Sequence, residues 1–359
     1  MQTEQLLMQD QPSSSEPASE QPSQPAQATN RILKQQPKRM LEVSQNESGE
    51  VLVSINYSSL ELLQTCHRKA AYSLLRQLRT DGADSPALSF GSAIHKALEC
   101  WYKLDPAERE LPSTQRERAE LYAYGHGLWD QATGALEAIR QFCVSQWTVL
   151  SMIPPEDKRS LSNGIKILMK YFKTYADDQL VVAVDSQGMP LVERSFEFEL
   201  YREPGLVINY HGAIDVVLKN LQSGLFMVAD HKTTSSLGSE FYNRCKPNPQ
   251  YTGYIMGARA CLGIETNLFL VNGIQVAKTL HQFARQITTR EEEDFHELRL
   301  TVVNQTKHWL AALQAQSFCQ AAPNPCSMYG GCQYLPVCSV PSQLRESVIS
   351  AKWSQQMSQ

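Results

Sequence analysis

A chain of 359 residues, 42% of them hydrophobic, can bury one large core or two modest ones, which excludes a small stapled module. No stretch approaches the roughly 18 consecutive apolar residues of a membrane span, and the polar, Gln-rich N-terminus lacks the basic and apolar regions of a secretory signal, so the expected compartment is the cytoplasm. The net charge of −4 is concentrated at the start, where residues 1–50 hold 4 Lys/Arg against 7 Asp/Glu; any nucleic-acid contact must therefore come from local basic patches in a near-neutral body.

Residues 1–48 read as a disordered tail, because a Gln, Pro, Ser and Glu composition buries too little apolar surface to offset its ordering entropy. Order is expected near Val51, with an extended VLVSINYSS and a helix through LELLQTCHRKAAYSLLRQL that has Ser58 or Ser59 as its cap and Cys66 in its middle. A second helix follows LSFGS, with Ser92 as the expected cap and Ile94, Leu98 and Trp101 spaced to face a core. Residues 103–180 read as a helical insertion, broken at Asp105-Pro106 and Pro154-Pro155.

From Leu191 the apolar period changes to two, predicting three successive strands in LVERSFEFEL, LVINYHGAIDVVLKN and GLFMVADHKTT. A helix over QYTGYIMGARACL ended by Gly263, two further strands and a long amphipathic helix from Glu291 complete a mixed α/β order. Residues 49–345 are expected to form the folded domain and 346–359 a C-terminal tail.

Two carboxylates stand inside these apolar strands, Asp215 in GAIDVVL and Asp230 at the end of FMVAD. Desolvating a carboxylate costs several kcal/mol unless it is protonated, paired or bound to a cation, so two on adjacent strands point to a divalent metal; exposed strand-end positions are the plain alternative. The strand period puts Lys232 on the same face as Asp230, which suits phosphodiester hydrolysis: carboxylates hold a metal, and an ammonium stabilises charge developing on the phosphate. A surface salt bridge would give the same triplet.

Four elements in order, Gly91-Ser92-Ala93-Ile94-His95, Gly212-Ala213-Ile214-Asp215, Asp230-His231-Lys232 and Gln250-x-x-x-Tyr254, resemble the RecB-like PD-(D/E)XK nucleases. The resemblance implies a restriction-endonuclease-like α/β core with a central mixed β-sheet flanked by helices. It implies that His95, Asp215, Asp230 and the backbone carbonyl of His231 bind Mg2+ or Mn2+, that Lys232 assists attack, and that Gln250 and Tyr254 orient Lys232 or contact DNA. Glu193, on the preceding strand, fits a supporting acidic position.

Cys326, Cys332 and Cys338 lie in a Pro- and Gly-rich C-terminal loop, a pattern open to an iron-sulfur cluster or structural zinc. The five-residue gaps are wider than usual zinc spacings. The branch of the family resembled, which includes AddB-type helicase-nucleases and CRISPR-adaptation exonucleases, uses one upstream Cys and three downstream. That implies a [4Fe-4S] clasp of Cys66 with residues 319–341.

Arg68, Lys69, Tyr72 and Arg76 on the first helix, with Arg244 and Lys246 ahead of Gln250, are candidate DNA contacts by charge and stacking. The expected substrate is DNA that is single-stranded or has free ends, consumed by an exonuclease in recombination, repair or replication beside a helicase or recombinase. The competing reading is a catalytically silent DNA-binding or scaffold subunit. Cleavage polarity and oligomeric state are not encoded in any motif read here.

Overall fold

The computed structural model describes residues 41–78, 85–109, 133–320, 324–327 and 331–353. Its centre is an eight-stranded mixed sheet in the order β1-β2-β5-β6-β7-β8, with β3 and β4 both paired to β5. The strands are β1 (Leu41–Gln45), β2 (Val51–Ile55), β3 (Leu180–Val182), β4 (Val192–Glu203), β5 (Leu206–Asn220), β6 (Phe226–Thr234), β7 (Leu268–Gln275) and β8 (Phe283–Thr289). β2 runs parallel to β5, and β6 parallel to β7; the other ladders are antiparallel.

Helices cover both faces. On one side lie α1 (Tyr57–Thr65), α5 (Pro249–Leu262) and α6 (Glu292–Gln314); on the other lie α2 (Pro86–Lys103), α3 (Gly134–Ser145) and α4 (Leu161–Thr174). The parallel step from β6 to β7 needs a crossover, and α5 supplies it. α5 lies close on the sheet because two of its residues are glycines: a Cβ on Gly253 or Gly257 would come within 2.5 Å of Tyr210 or Phe196.

Several boundaries differ from the sequence expectation for local reasons. β1 extends order back to Leu41, through a ladder with β2. Asn56 caps α1, accepting the Ser59 N–H, so both serines fall inside the helix. Cys66 interrupts the expected continuous helix: its backbone is extended, and its Sγ accepts the Lys69 N–H to start a new turn over His67–Ala70. α2 begins at Ser85-Pro86, a cap followed by a proline at the first helical position, so Ser92 lies within it.

The expected C-terminal tail contains α7 (Arg345–Trp353). Its Ile349 and Trp353 are buried in a small satellite core with Tyr72, Leu78, Tyr334 and Val337. The described part of the insertion is mainly helical, with turns over 151–160; residues 110–132 and the N-terminal tail through residue 40 lie outside the described residues.

Candidate active site

The site forms where the sheet forks. β5 and β6 pair only from Val216↔Ala229 to Lys219↔Phe226, and β6 then continues with β7 alone. Asp215 and Asp230 occupy the next position of that ladder, where the two strands part. On the other flank of β5, the pairs Val192↔Val216 and Arg194↔Ile214 bring Glu193 opposite Asp215. Three acidic residues therefore stand abreast on β4, β5 and β6.

The strands are distorted at this row. Ile214 and Val216 belong to cores on opposite faces, as do Val192 and Phe196, so the two-residue alternation breaks at Asp215 and Glu193. Glu193 has φ +52°, a left-handed backbone that costs a side-chain-bearing residue about 1–2 kcal/mol. The same fork frees the His231 N–H from the β5 ladder, and it donates to Asp215 Oδ2 at 2.9 Å.

His95 reaches this row from α2, with Nδ1 3.2 Å from Asp215 Oδ2. The helix approaches β6 at Gly91, where even a Cβ would lie 3.2 Å from Thr233 Oγ1. One ligand atom each of His95, Glu193 and Asp215 lies within 4.8 Å of the other two, a spacing that suits one divalent ion. Asp230 is the more deeply buried carboxylate, at 3% side-chain exposure, and Lys232 Nζ lies 2.7 Å from its Oδ2. A buried oxygen so placed fits an electrostatic partner such as a metal ion.

The charges of this row are interdependent. Burial alone would lift the Asp215 carboxyl and lower the His95 imidazole, but each stabilises the other's ion, so His95 is raised to about 9 and Asp215 is held below the usual carboxylate range. Burial dominates at Asp230 and, opposed by Lys232 and reinforced by Asp215, raises its carboxyl. The carboxylates therefore ionise unequally without a cation, and a divalent ion would relieve the repulsion.

Lys232 is aimed by α5. Its Nζ donates to Gln250 Oε1 at 3.2 Å, and Gln250 Nε2 donates to the Tyr254 hydroxyl at 3.0 Å, so the helical i, i+4 pair becomes a single chain of bonds. The His231 ring points to the opposite layer. It stacks on Tyr102 at 5.3 Å, and its Nδ1 lies 2.8 Å from Asn272 Nδ2, which also donates to Tyr171. Burial lowers the His231 imidazole to about 3, leaving it neutral.

A groove of about 650 Å3 opens beside this row and is lined by His95, Glu193 and Asp215. Lys96, Lys158 and Arg159 line it, as do the hydroxyls of Thr233, Thr234 and Ser235; the sequence reading had singled out none of these. The basic residues it did single out stand elsewhere. Arg76 makes a bidentate pair with Glu346, Arg68 donates to Gln320, Lys246 pairs with Asp294 at 2.9 Å, and Arg244 pairs with Glu240. Tyr72 is 7% exposed, against Tyr334, and Lys69 lines a second cavity.

That second cavity, of about 340 Å3, is lined by Cys66, Cys326, Cys332 and Cys338 together. Among the described residues no three of these sulfurs come within 4.8 Å of one another. Cys319 is exposed, and its carbonyl accepts the Arg68 N–H at 3.1 Å, tying the two chain regions beside the cavity.

The mixed sheet, its flanking helices and the forked carboxylate row define an α/β restriction-endonuclease-like core. The chain belongs to the PD-(D/E)XK nuclease superfamily, whose model matches residues 54–339. Among solved structures, it is similar to a putative exonuclease from Eubacterium rectale: 13% identity, 75% of this chain and 84% of that one covered, TM-score 0.40. No curated sequence matches the chain. None of its described helices is long and apolar enough to cross a membrane.

Proposed function

We propose that the protein is a Mg2+- or Mn2+-dependent deoxyribonuclease, an exonuclease acting on DNA that is single-stranded or has free ends. The observation that carries this reading is the convergence of His95, Glu193 and Asp215 within 4.8 Å, with Asp230 beside them against the Lys232–Gln250–Tyr254 chain. His95, Glu193 and Asp215 would hold the ion, with Asp230 and the His231 carbonyl completing its shell. When bound, the ion supplies activation of water and neutralisation of phosphate charge.

The chain's own groups do the rest. Lys232 offers an ammonium, kept in place by Gln250, to the negative charge that builds on the phosphate oxygens. Asp215, ionised through its contacts with His95 and the His231 N–H, keeps the imidazole oriented. Burial of Asp230 limits competing water at the reacting centre.

The cysteine cavity is read as the seat of a [4Fe-4S] cluster. Tetrahedral zinc, with Zn–S of about 2.3 Å, would hold its sulfurs roughly 3.8 Å apart, and no three of these sulfurs, among the described residues, lie within 4.8 Å of one another. A cluster bound by Cys66 and the three C-terminal cysteines would close a loop that encloses the whole nuclease core and contribute to folding.

The test is incubation of end-labelled linear single-stranded DNA with the protein and Mg2+ or Mn2+. Metal-dependent loss of the strand, stopped by chelation, is the expected result. An intact strand with both metals would overturn the reading.

A further inference from the structure

The turn ahead of α4, within the insertion, brings two cations to the groove lined by His95, Glu193 and Asp215. Lys158 and Arg159 line that groove and are half-buried. Lys96, the third cation there, shares the Glu99 carboxylate with Lys103, at 2.8 and 2.7 Å, whereas neither Lys158 nor Arg159 forms an ion pair with a described carboxylate.

Their backbone is anchored. Asn163 Nδ2 donates to the Lys158 carbonyl at 2.7 Å and to the Ala277 carbonyl at 2.9 Å, locking this turn to the segment after β7. His281 Nε2 lies 3.0 Å from Asn163 Oδ1 and holds the amide in that orientation. Ser160, buried, caps α4 directly after the pair by accepting the Asn163 N–H. Thr233 and Ser235 also line the groove, and their hydroxyls can donate hydrogen bonds to phosphate oxygens.

We propose that Lys158 and Arg159 form a phosphate subsite that holds the DNA backbone next to the scissile bond. The inference rests on the nuclease reading above and assigns the insertion a part in substrate binding. Positive charge held by anchored backbone, without an ion-pair partner among the described residues, and lining the same groove as His95, Glu193 and Asp215 is placed to take a polyanion. It also offsets the repulsion between that row and the strand. Because these contacts are the same in the ground and transition states, they set KM and leave kcat alone.

The test compares the full chain with K158A/R159A for binding of fluorescein-labelled oligothymidylate, in calcium to suppress cutting, and for kcat and KM in magnesium. Two lost phosphate contacts on a single strand, each worth a slope of about −0.7, predict that the wild-type advantage shrinks about sevenfold between roughly 50 and 200 mM salt. KM rises, kcat is unchanged, and K158R/R159K restores both affinity and salt slope. If the double variant does not fold, Arg159→Gln alone is expected to shrink the advantage about 2.6-fold over the same range. Equal affinity and equal salt slope, with both proteins cutting, overturn the subsite and leave the nuclease reading intact. A wild-type protein that neither binds nor cuts the strand overturns both.

Discussion

Gly253→Ala tests whether α5 positions Lys232, the lysine proposed to act in catalysis. The added methyl would lie 2.5 Å from Tyr210 Cε1 and 2.6 Å from its hydroxyl oxygen, against a comfortable separation of about 3.5 Å or more. Tyr210 is fully buried, with Phe196 and Phe198 packed about its ring, so the helix rather than the ring must give, by about 1 Å. Overpacking of this kind costs about 1–3 kcal/mol, and alanine's better helix propensity returns up to about 1 kcal/mol, so the protein stays folded with a modest loss of stability.

Gln250 and Tyr254 ride on the same turn, and a 1 Å retreat breaks the 3.2 Å bond from Lys232 to Gln250. Misplacement on that scale can lower the chemical rate about 100-fold. Single-turnover cleavage of a labelled strand, with thermal unfolding measured on the same sample, separates the two effects. A folded variant cutting at the wild-type rate would refute the claim that α5 aims Lys232.

Three further outcomes are expected. In the metal-free protein His95 stays protonated up to about pH 9, and a metal needs the neutral imidazole. Mn2+ affinity should therefore climb with pH from about 6 and level off only above the His95 value, with proton release on binding; calorimetry showing no pH dependence from about pH 6 to about pH 8 would contradict this. Glu193→Gly should raise the melting temperature, since it relieves a left-handed backbone costing about 1–2 kcal/mol for about 0.5–1 kcal/mol of extra chain entropy, while weakening Mn2+ binding by at least about tenfold. Anaerobically purified protein should contain iron and acid-labile sulfide, both lost in Cys332→Ala; zinc alone would exclude the cluster.

The strands and the Asp-x-Lys and Gln-x-x-x-Tyr motifs are readable because their signals are local. A period of two puts Asp230 and Lys232 on one face, and a separation of four puts Gln250 beside Tyr254; the structure adds the bonds that join them. The Ser85-Pro86 start of α2 is itself a cap-plus-proline signal, and it places the helix start seven residues ahead of Ser92. The fork between β5 and β6 was not readable, because it depends on which strand pairs with β7. The left-handed turn at Glu193 has no local signal either, yet it gives a residue expected only in support a place in the metal trio.

Tyr72 reads as a stacking surface because nothing in its own helix hides it; Tyr334, far along the chain, packs on its ring in the satellite core that α7 completes. Lys158 and Arg159 were missed because they lie in the insertion, far along the chain from every motif, and only packing through Asn163 brings them to the groove.

The most direct measurement pairs wild-type protein with Asp230→Asn, which keeps the shape of a buried side chain and removes its charge. Cleavage of linear and circular single-stranded DNA is followed in Mg2+, and Mn2+ binding is measured on the same samples. The account predicts that the wild-type protein degrades the linear strand and that the variant, folded to the same melting temperature or higher, binds Mn2+ more weakly and does not cut. A folded Asp230→Asn variant that degrades DNA at the wild-type rate would show that hydrolysis happens elsewhere and contradict the account.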